Sequence, residues 1–260
     1  MELKDTVAIV TGAARGIGRG VSLALAREGA HIVVADLPSA QDDMEATGKL
    51  VEAEGVQALL AHCDVRDSAQ ISALVQATLD RFGRIDVLVN NAGVISLAPI
   101  TTMSEEQWDR VLDVNLKGTF LCSKAVAPHM AERRSGCIIN MSSVAGKRGQ
   151  PGLAHYCASK FAVIGFTQTL ALEMAAANVR ANAVCPGEVD SAMWREHLLP
   201  ALAAARGSTP EEAWEQFTRE RVPLGRPQTA EDIGQAVVFL CRADNITGAA
   251  LNVNGGSELG

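Results

Sequence analysis

Short apolar runs alternate with longer amphipathic stretches along most of the chain. The runs that predict β-strands are rich in Val, Ile and Ala and lie at residues 6–11, 30–35, 57–63, 85–89, 137–141, 180–184 and 250–253. Helical periodicity occupies the stretches between them, at residues 16–28, 40–54, 68–82, 104–117, 119–133, 158–176 and 230–240. Almost continuously apolar strands that alternate with helices are typical of a parallel sheet covered on both faces. The pattern therefore predicts an α/β fold with a doubly wound parallel sheet.

One segment interrupts this alternation. No strand is indicated between Pro186 and Pro227, and two helices are predicted instead, at residues 192–205 and 209–221. Thr209 followed by Pro210 is a typical helix start, with the threonine as N-cap. Long excursions of this kind after a strand usually carry function. We predict that residues 192–221 form a small helical lobe that binds substrate, within a single domain that spans residues 1–260.

Charge and cysteine content narrow the classes of function. The formal net charge is −7 and no dense basic cluster occurs, which argues against a nucleic-acid partner. Six cysteines show no CxxC pair and no zinc-like spacing, so we predict no metal site and reduced thiols. No segment approaches the ~20 apolar residues of a membrane span. The sequence predicts a cytoplasmic protein with a small-molecule substrate and no membrane partner.

The first strand runs directly into a glycine-rich turn and then a helix. Glycines let the backbone turn tightly and approach a pyrophosphate, while the helix N-terminus offers N–H groups and partial positive charge. The spacing Gly-x3-Gly-x-Gly differs from the common Gly-x-Gly-x-x-Gly, and a lone glycine pattern is also compatible with a simple turn. The strand–turn–helix context favours a dinucleotide site of a Rossmann fold, with binding residues Gly12, Arg15, Gly16, Ile17 and Gly18.

Asp36 ends the second predicted strand, eighteen positions after Gly18. An acid at this position accepts hydrogen bonds from the adenosine ribose hydroxyls and repels a 2′-phosphate. The sequence therefore predicts NAD rather than NADP as the cofactor. A simple helix cap is the alternative role of Asp36, and Arg15 is a basic residue that could help to hold a phosphate.

Two further segments follow predicted strands and so belong to the same edge of the sheet. Ligands of open α/β sheets bind beyond the carboxyl ends of the strands. Asp64 and Val65 follow the third strand, where the carboxylate suits an adenine amino group. Asn91, Ala92 and Gly93 follow the fourth strand and are predicted to pack along the adenine ribose.

A serine, a tyrosine and a lysine supply the candidate chemistry. Ser143 follows the strand at residues 137–141, and Tyr156 is the only tyrosine of the chain. Lys160 lies four residues later, on the same helical face as Tyr156. A nearby ammonium lowers the pKa of a phenol, so Tyr156 is predicted to exchange a proton with an alcohol or ketone while Ser143 holds the substrate oxygen. The alternative is that Tyr156 is a core aromatic and Lys160 a solvated helix residue.

Asn115 is an unusual polar residue in an apolar helical stretch. We interpret it as a residue that orients a water molecule near Lys160 and so connects the site with solvent.

Taken in order, these motifs resemble the short-chain dehydrogenase/reductase family. The matching segments are TGAARGIG, NNAG, VNLKG, the serine pair followed by YCASK, and CPGEV, and the resemblance extends from residue 4 to residue 256. It implies a catalytic tetrad of Asn115, Ser143, Tyr156 and Lys160. Tyr156 and Lys160 would also contact the cofactor, with Lys160 bonded to the nicotinamide ribose.

The resemblance also implies nicotinamide contacts from Pro186, Gly187 and Val189. Ser191 stands where the family commonly has a threonine that contacts the carboxamide, and its hydroxyl is expected to keep that role. Family members are mostly tetramers, so a homotetramer is expected.

The substrate is expected between three segments: the loop from Ser143 to Tyr156, the residues after Gly93, and the region of residues 194–217. An apolar wall is predicted from Val94, Ile95, Leu97, Val144, Leu153 and Trp194, and polar groups from Gln150, His155, Glu188 and His197. A surface position is the alternative for His155.

Among family members, the stretch AHYCASKFAVIGFTQTLALE and the pair Met193-Trp194 look most similar to bacterial diol, acetoin and polyol dehydrogenases. The alternative is a 3-oxoacyl-thioester reductase, for which Lys147, Arg148 and Arg195 would form a basic entrance. A protein that senses NAD without chemistry is a further alternative, although it would not need Tyr156 and Lys160.

Overall fold

The computed structural model describes residues 1–191 and 193–260. In this part of the chain, seven parallel strands form one sheet in the order β3-β2-β1-β4-β5-β6-β7. The strands are β1 (Val7–Thr11), β2 (His31–Asp36), β3 (Ala58–His62), β4 (Val87–Asn90), β5 (Gly136–Met141), β6 (Val179–Pro186) and β7 (Ala250–Val253). The prediction of a doubly wound parallel sheet is confirmed.

Helices cover both faces of this sheet. They are α1 (Gly16–Arg27), α2 (Gln41–Ala53), α3 (Ser68–Phe82), α4 (Glu105–Leu112), α5 (Gly118–Glu132), α6 (Ala154–Met174), α7 (Leu199–Arg206), α8 (Pro210–Arg221) and α9 (Ala230–Arg242). One apolar core joins the sheet to α1, α2 and α9, and the other joins it to α3, α5 and α6. Because both faces are buried, the strands are apolar on both sides, as the sequence pattern indicated.

The strand order reverses direction at β1, which pairs with β2 on one side and β4 on the other. The loops after β1 and β4 leave towards opposite faces at this point, which opens a crevice beyond the carboxyl ends of the strands. The glycine loop and the Asn91–Gly93 segment lie there. The topology therefore brings both predicted cofactor segments to one edge of the sheet.

Helix α4 ends earlier than the sequence predicted. Regular helix stops at Leu112, and residues Asp113–Lys117 form a π-helical turn that leads into α5. Such wider turns are frequent at functional sites because they displace a side chain from the regular helical register. Asn115 lies in this turn and is 1% exposed.

Helix α6 begins at Ala154, four residues before the predicted start at residue 158. Pro151 and Gly152 form the preceding turn, with Gly152 at φ +78°, and Leu153 caps the helix without a side-chain hydrogen bond. Because no polar side chain caps the helix, its start at Ala154 could not be predicted from the sequence. Both Tyr156 and Lys160 therefore lie within the regular helix.

The predicted lobe at residues 192–221 begins at Ala192, which lies outside the described residues. From Met193 onwards, a π-helical turn at Trp194–Leu198 leads into α7 and α8. The rings of Trp194, Trp214 and Phe217 pack together with centroids 5.1 to 6.4 Å apart. Thr209 caps α8 as predicted, in a capping box with Glu212.

Among the described residues, no helix has both the length and the apolar character that a membrane crossing requires.

Candidate functional site

A cavity of about 620 Å³ runs along the carboxyl ends of the strands, from β2 to the helical lobe. It is lined by nearly all of the predicted cofactor residues and by three of the four predicted catalytic residues. The predicted residues on its wall are Gly12, Arg15, Gly16, Ile17, Asp36, Asp64, Val65, Asn91, Ala92, Gly93, Ser143, Tyr156, Lys160, Pro186, Gly187, Val189 and Ser191. Two others, Gly18 and Asn115, lie behind the wall.

The glycine loop needs its glycines for two different reasons. Gly12 and Gly16 have φ values of +64° and +57°, in the left-handed region that favours glycine. A Cβ on Gly18 would lie only 2.1 Å from the carbonyl oxygen of Gly12. Gly18 therefore lets the first turn of α1 pack against the loop, whereas Gly16 has open space around the position of a Cβ and faces the cavity.

The Asp36 carboxylate is held at the end of β2. One oxygen accepts a hydrogen bond from the backbone N–H of Ala14 at 2.9 Å, and the other accepts one from the N–H of Leu37 at 2.8 Å. These bonds fix the carboxylate beside the glycine loop, on the wall of the cavity. Its remaining lone pairs can accept hydrogen bonds from vicinal hydroxyls.

The Asp64 carboxylate lies on the cavity wall and is paired with a neighbouring arginine. Its carboxylate binds the Arg66 guanidinium with an N–O distance of 2.6 Å, and this hydrogen bond lowers its pKa. The carboxylate that is expected to meet an adenine amino group is therefore held in place by an ion pair with a neighbour two residues away. Arg66 itself lines the cavity, although the sequence reading had not assigned it a role.

Asn91 links β4 to the glycine loop. Its side-chain amide donates to the carbonyl oxygens of Thr11 and Gly12, both at 2.9 Å. The Thr11 hydroxyl oxygen accepts from the backbone N–H groups of Asn91 and Ala92 at 3.0 and 3.1 Å. Asn91 thus holds the loop in place, and the adjacent Ala92 and Gly93 form the cavity wall.

Ser143, Tyr156 and Lys160 meet at the other end of the cavity. Ser143 follows β5, and Tyr156 and Lys160 project from the first turns of α6. The Lys160 ammonium lies 5.5 Å from the centroid of the Tyr156 ring and donates to the Met141 carbonyl oxygen at 2.8 Å. The lysine is 4% exposed, so α6 carries a buried cation directly behind the phenol.

The expected lowering of the Tyr156 pKa by Lys160 is wrong for this arrangement of side chains. Burial raises the pKa of Tyr156 to about 12, and only the Ser143 side chain acts in the opposite direction. Burial also lowers the pKa of Lys160 from 10.5 to about 8. Both shifts have burial as their largest cause, since burial disfavours the charged form of each group.

The lowered pKa of Lys160 predicts a pH dependence of stability. Between about pH 8 and about pH 10.5 the unfolded chain binds one more proton than the folded chain, so stability rises with pH. We expect the free energy of unfolding of the wild type, relative to Lys160→Met, to rise by up to about 3 kcal/mol across this range. Urea titrations at several pH values measure this difference.

Lys49→Met, which removes an exposed lysine of α2, is the control. A pH-independent difference between the wild type and Lys160→Met would contradict the prediction.

Asn115 organises the segment that follows Gly93. Its side-chain oxygen accepts from the Val94 N–H at 2.8 Å, and its amide donates to the Val94 carbonyl at 3.0 Å and to Ser159 Oγ at 3.2 Å. A Cβ on Gly93 would lie 3.4 Å from this oxygen and 3.7 Å from the Lys160 Nζ. Asn115 therefore connects the π-helical turn, the cavity wall and α6.

Replacing Asn115 by Leu is expected to lower the free energy of unfolding by about 3 kcal/mol. The substitution keeps a similar volume but leaves the Val94 N–H and carbonyl groups and the Ser159 hydroxyl with fewer partners, and a buried polar group without a partner costs about 1–3 kcal/mol. Urea denaturation measures the change, with the exposed Asn245→Ala as control. A loss below about 0.5 kcal/mol, which is typical of surface substitutions, would refute this role.

The end of β6 and the segment after it also line the cavity, through Pro186, Gly187, Glu188, Val189 and Ser191. The Gly187 N–H donates to the Val253 carbonyl at 3.1 Å, and a Cβ on Gly187 would lie 2.8 Å from the Asn254 Cβ. Val189 bridges to Gln228 in a parallel pairing. Backbone contacts thus fix this segment against the residues that follow β7. Ser191, at the end of the segment, lines the cavity.

The predicted substrate wall is largely present. Val94, Ile95, Val144, Leu153 and Trp194 line the cavity, whereas Leu97 is 46% exposed and lies outside it. Gln150 and Glu188 also line it, although the Glu188 carboxyl is buried and burial raises its pKa. The side chain of His197 is not among those that the structure describes.

The interpretation of His155 as a surface histidine is wrong. The residue is fully buried, and its Nε2 lies 2.8 Å from the Ser96 hydroxyl oxygen. It lies on the inner side of α6, adjacent to Tyr156 in sequence, because the helix starts earlier than predicted. Ser96 lines the cavity and is a further polar residue that the sequence analysis did not single out.

The cavity wall suits a dinucleotide cofactor. The cavity wall carries the Asp36 carboxylate and the backbone around Gly16, the Asn91–Gly93 segment, and the phenol and ammonium of α6. A Cβ built on Gly16 would point into open space. Without it, the backbone at this position can come close to a pyrophosphate. The residues present therefore fit a nicotinamide dinucleotide.

A family model described as short chain dehydrogenase matches residues 6–199. The chain belongs to this family. It is 43% identical to galactitol 2-dehydrogenase of Agrobacterium fabrum, in an alignment of 260 residues that covers 99% of each chain. It is 39% identical to the 3-oxoacyl-(acyl-carrier-protein) reductase FabG of Thermotoga maritima, which covers 98% of this chain and 99% of the relative.

Solved structures of this family have the same fold. NAD+-bound xylitol dehydrogenase superposes with a TM-score of 0.91 at 33% identity and covers 98% of this chain and 100% of its own. Levodione reductase superposes with a TM-score of 0.90 at 32% identity, with 97% of each chain covered. As a short-chain dehydrogenase, the chain is an oxidoreductase that transfers a hydride between a nicotinamide cofactor and a CH–OH or carbonyl group.

Proposed function

We propose that this protein is an NAD-dependent dehydrogenase of a small polyol or diol. The observation that carries the proposal is one cavity with a fixed carboxylate, Asp36, at the cofactor end and the Ser143–Tyr156–Lys160 group at the other. The first feature selects the cofactor and the second performs proton transfer.

The preference for NAD follows from charge. The Asp36 carboxylate is held by two backbone N–H groups, so it cannot turn away from an additional phosphate. Arg15, the nearby cation that could compensate, is paired with Glu196 at 3.4 Å. A 2′-phosphate would meet a fixed negative charge, whereas ribose hydroxyls would meet a hydrogen-bond acceptor.

In the proposed mechanism the chain holds the reacting oxygen and moves its proton. Ser143 donates a hydrogen bond to the substrate oxygen, and the Tyr156 hydroxyl gives its proton to a ketone or, as phenolate, takes one from an alcohol. The buried Lys160 cation, held by the Met141 carbonyl, stabilises negative charge on the phenol oxygen as it develops. Asn115 positions the wall at Val94. The bound cofactor supplies or accepts the hydride.

Roles in cofactor binding are proposed for the wall residues described above. Asp64 and Val65 border the adenine, Asn91, Ala92 and Gly93 the adjacent ribose, and the glycine loop the pyrophosphate. Pro186, Gly187, Val189 and Ser191 contact the nicotinamide. Gly18 acts indirectly, through the shape of the loop.

The substrate class is favoured by similarity and by the surroundings of Tyr156. Galactitol 2-dehydrogenase and xylitol dehydrogenase are similar over nearly the whole chain. The substrate end combines an apolar wall with the polar groups of Ser96 and Gln150, which suits a short carbon chain with several hydroxyls. The proposed substrate-binding lobe at residues 192–221 contributes Met193, Trp194 and Leu198 to this wall.

The alternative of a 3-oxoacyl-thioester reductase is supported by similarity to FabG proteins. Its expected basic entrance is not favoured by the ion pairs. The Lys147 ammonium donates to the Ala250 carbonyl at 3.1 Å, Arg148 lies 3.5 Å from Glu258, and Arg195 binds Asp190 at 2.7 Å. These cations are engaged by the chain itself.

We further propose a homotetramer in the cytoplasm. Phe120 of α5 and Phe161 and Leu172 of α6 are 43%, 47% and 82% exposed, an apolar surface that another copy of the chain would cover. All six cysteines are free thiols, as expected in a reducing compartment. A monomer in light scattering at micromolar concentration would contradict the assembly.

The test follows nicotinamide absorbance with NAD and NADP in parallel, across polyols, vicinal diols, simple secondary alcohols and a 3-hydroxyacyl thioester. Rapid reduction of NAD with a polyol or diol is the expected result. Activity confined to the thioester, or to NADP, would favour the reductase. NAD binding without turnover of any substrate would favour a sensor.

A further inference from the structure

Ser96 and His155 form a hydrogen-bonded pair at the substrate end of the cavity. The two residues are 59 positions apart in sequence, and Ser96 Oγ lies 2.8 Å from Nε2 of His155. Ser96 lines the cavity together with Gln150 and Tyr156, and His155 is fully buried behind it. The buried His155 is thus hydrogen-bonded to a hydroxyl group on the cavity wall.

The pair is not needed to hold its two segments together. The backbone N–H of Ala98 donates to the Gly152 carbonyl at 2.9 Å, which already joins the segment after Gly93 to the turn before α6. Asn115 fixes the same segment at Val94. The contact between Ser96 and His155 is therefore one of several links between these segments.

The protonation of His155 determines what Ser96 can offer. Burial lowers the pKa of the imidazole, so the ring is neutral at neutral pH and has one N–H group. Its Nδ1 is buried and has no hydrogen-bond partner among the described residues. Buried N–H groups without an acceptor are rare, so the proton belongs on Nε2, where the Ser96 oxygen accepts it.

With one lone pair occupied by His155, the Ser96 hydroxyl must direct its own proton elsewhere. Among the described residues, His155 is the only side-chain partner of Ser96 Oγ, and the side open to Ser96 is the cavity. Ser143 and Tyr156 hold the reacting oxygen in the proposed mechanism. We infer that Ser96 donates a hydrogen bond to a second, non-reacting hydroxyl of the substrate and that His155 orients Ser96 for this contact.

This inference rests on the proposed function and explains how the site would prefer diols and polyols to simple secondary alcohols. A substrate without the second hydroxyl leaves the Ser96 donor unpaired, and sites built to bond a substrate hydroxyl discriminate strongly against analogues that lack it. Ser96 is thus a specificity-determining residue, and His155 is a positioning residue that acts through it.

The experiment compares kcat/KM for butane-2,3-diol and butan-2-ol, which differ by one hydroxyl. We expect the wild type to prefer the diol by at least ~10-fold, and Ser96→Ala to reduce this ratio by at least ~10-fold. Ser96→Thr keeps the hydroxyl and should retain most of the ratio. Ser72→Ala, which removes an exposed hydroxyl of α3 bonded to the Ser68 carbonyl, is the matched control.

Two variants of His155 test the positioning role. His155→Gln keeps an N–H donor and should retain most of the diol preference, whereas His155→Phe should lose it as Ser96→Ala does. Melting temperatures measured in parallel identify a variant that has only lost stability. A merely structural histidine would change the rates with both alcohols by the same factor.

A wild type that oxidises both alcohols with equal efficiency, or a Ser96→Ala variant that keeps the ratio, overturns the inference while the proposed dehydrogenase function stands. A wild type that oxidises neither these alcohols nor any polyol overturns the proposed function, and the inference with it.

Discussion

Replacing Tyr156 by Phe is expected to lower kcat by ~10³-fold in both directions of the reaction. The substitution removes only the hydroxyl group and keeps the ring that lies 5.5 Å from the Lys160 ammonium. Because Tyr156 is the only tyrosine of the chain, no other phenol can replace it. Steady-state kinetics with NAD and a polyol, and with NADH and the corresponding ketone, measure the loss.

Binding and stability separate lost chemistry from lost structure in this variant. We expect the Kd for NADH, measured by fluorescence, to stay within about threefold of the wild type, because the phenol oxygen acts mainly in the transition state. The melting temperature should change little because a single hydroxyl is lost. A Tyr156→Phe variant that retains turnover would remove the catalytic assignment.

The raised pKa of Tyr156 gives the same prediction a pH signature. A phenol with a pKa of about 12 is protonated at neutral pH, so it is ready to protonate a ketone but must lose its proton before it accepts one from an alcohol. Initial rates of alcohol oxidation should therefore rise from about pH 6 to about pH 8, where Lys160 keeps its proton, while ketone reduction stays flat or falls. Oxidation rates that fall over this range would contradict the role of the phenol.

Local patterns were sufficient to predict which segments meet at the cofactor end of the cavity. The glycine loop, Asp36 and the Asn91–Gly93 segment follow strands, and the topology of a parallel sheet places every such segment at one edge. The Tyr156–Lys160 pair was equally accessible because a helix brings residues i and i+4 to one face. These features depend on neighbours in sequence or on a fold-level rule.

Features that depend on distant neighbours were missed. Asn90 donates to Asn140 at 2.8 Å, and Asn140 donates to Thr167 at 2.9 Å, a buried polar chain across β4, β5 and α6. No pattern in three separate segments indicates that they meet. The burial of His155 and its contact with Ser96 were missed as well. No capping side chain marks the start of α6, so the sequence did not indicate that His155 lies within the helix.

The pKa values of Tyr156 and Lys160 could not be predicted from the sequence either. The sequence placed an ammonium near a phenol, but the direction of the shift depends on how deeply both groups are buried and on where the ammonium points. Lys160 is bonded to the Met141 carbonyl, a contact that only the folded chain creates. Burial, which also arises only in the folded chain, raises the pKa of Tyr156.

Replacing Asp36 by Ala is expected to reverse the cofactor preference. The wild-type carboxylate accepts hydrogen bonds from ribose hydroxyls, and hydrogen bonds to charged groups contribute about 1.5–3 kcal/mol, so kcat/KM with NAD should fall ~10- to 100-fold. The same change removes the charge that repels a 2′-phosphate, while Arg15 stays paired with Glu196. The ratio of kcat/KM for NAD to that for NADP should therefore fall by ~10²- to 10³-fold.

Two variants make this result specific to position 36. Asp42→Ala removes an exposed carboxylate from the first turn of α2 and changes the net charge equally, so it should leave the ratio within about threefold of the wild type. Asp36→Asn keeps the size of the side chain and so preserves the support of the loop at Ala14 better than Ala does. If Asp36→Ala lowered activity with both cofactors equally, Asp36 would serve only to hold the glycine loop, and the cofactor preference would have to arise elsewhere in the cavity.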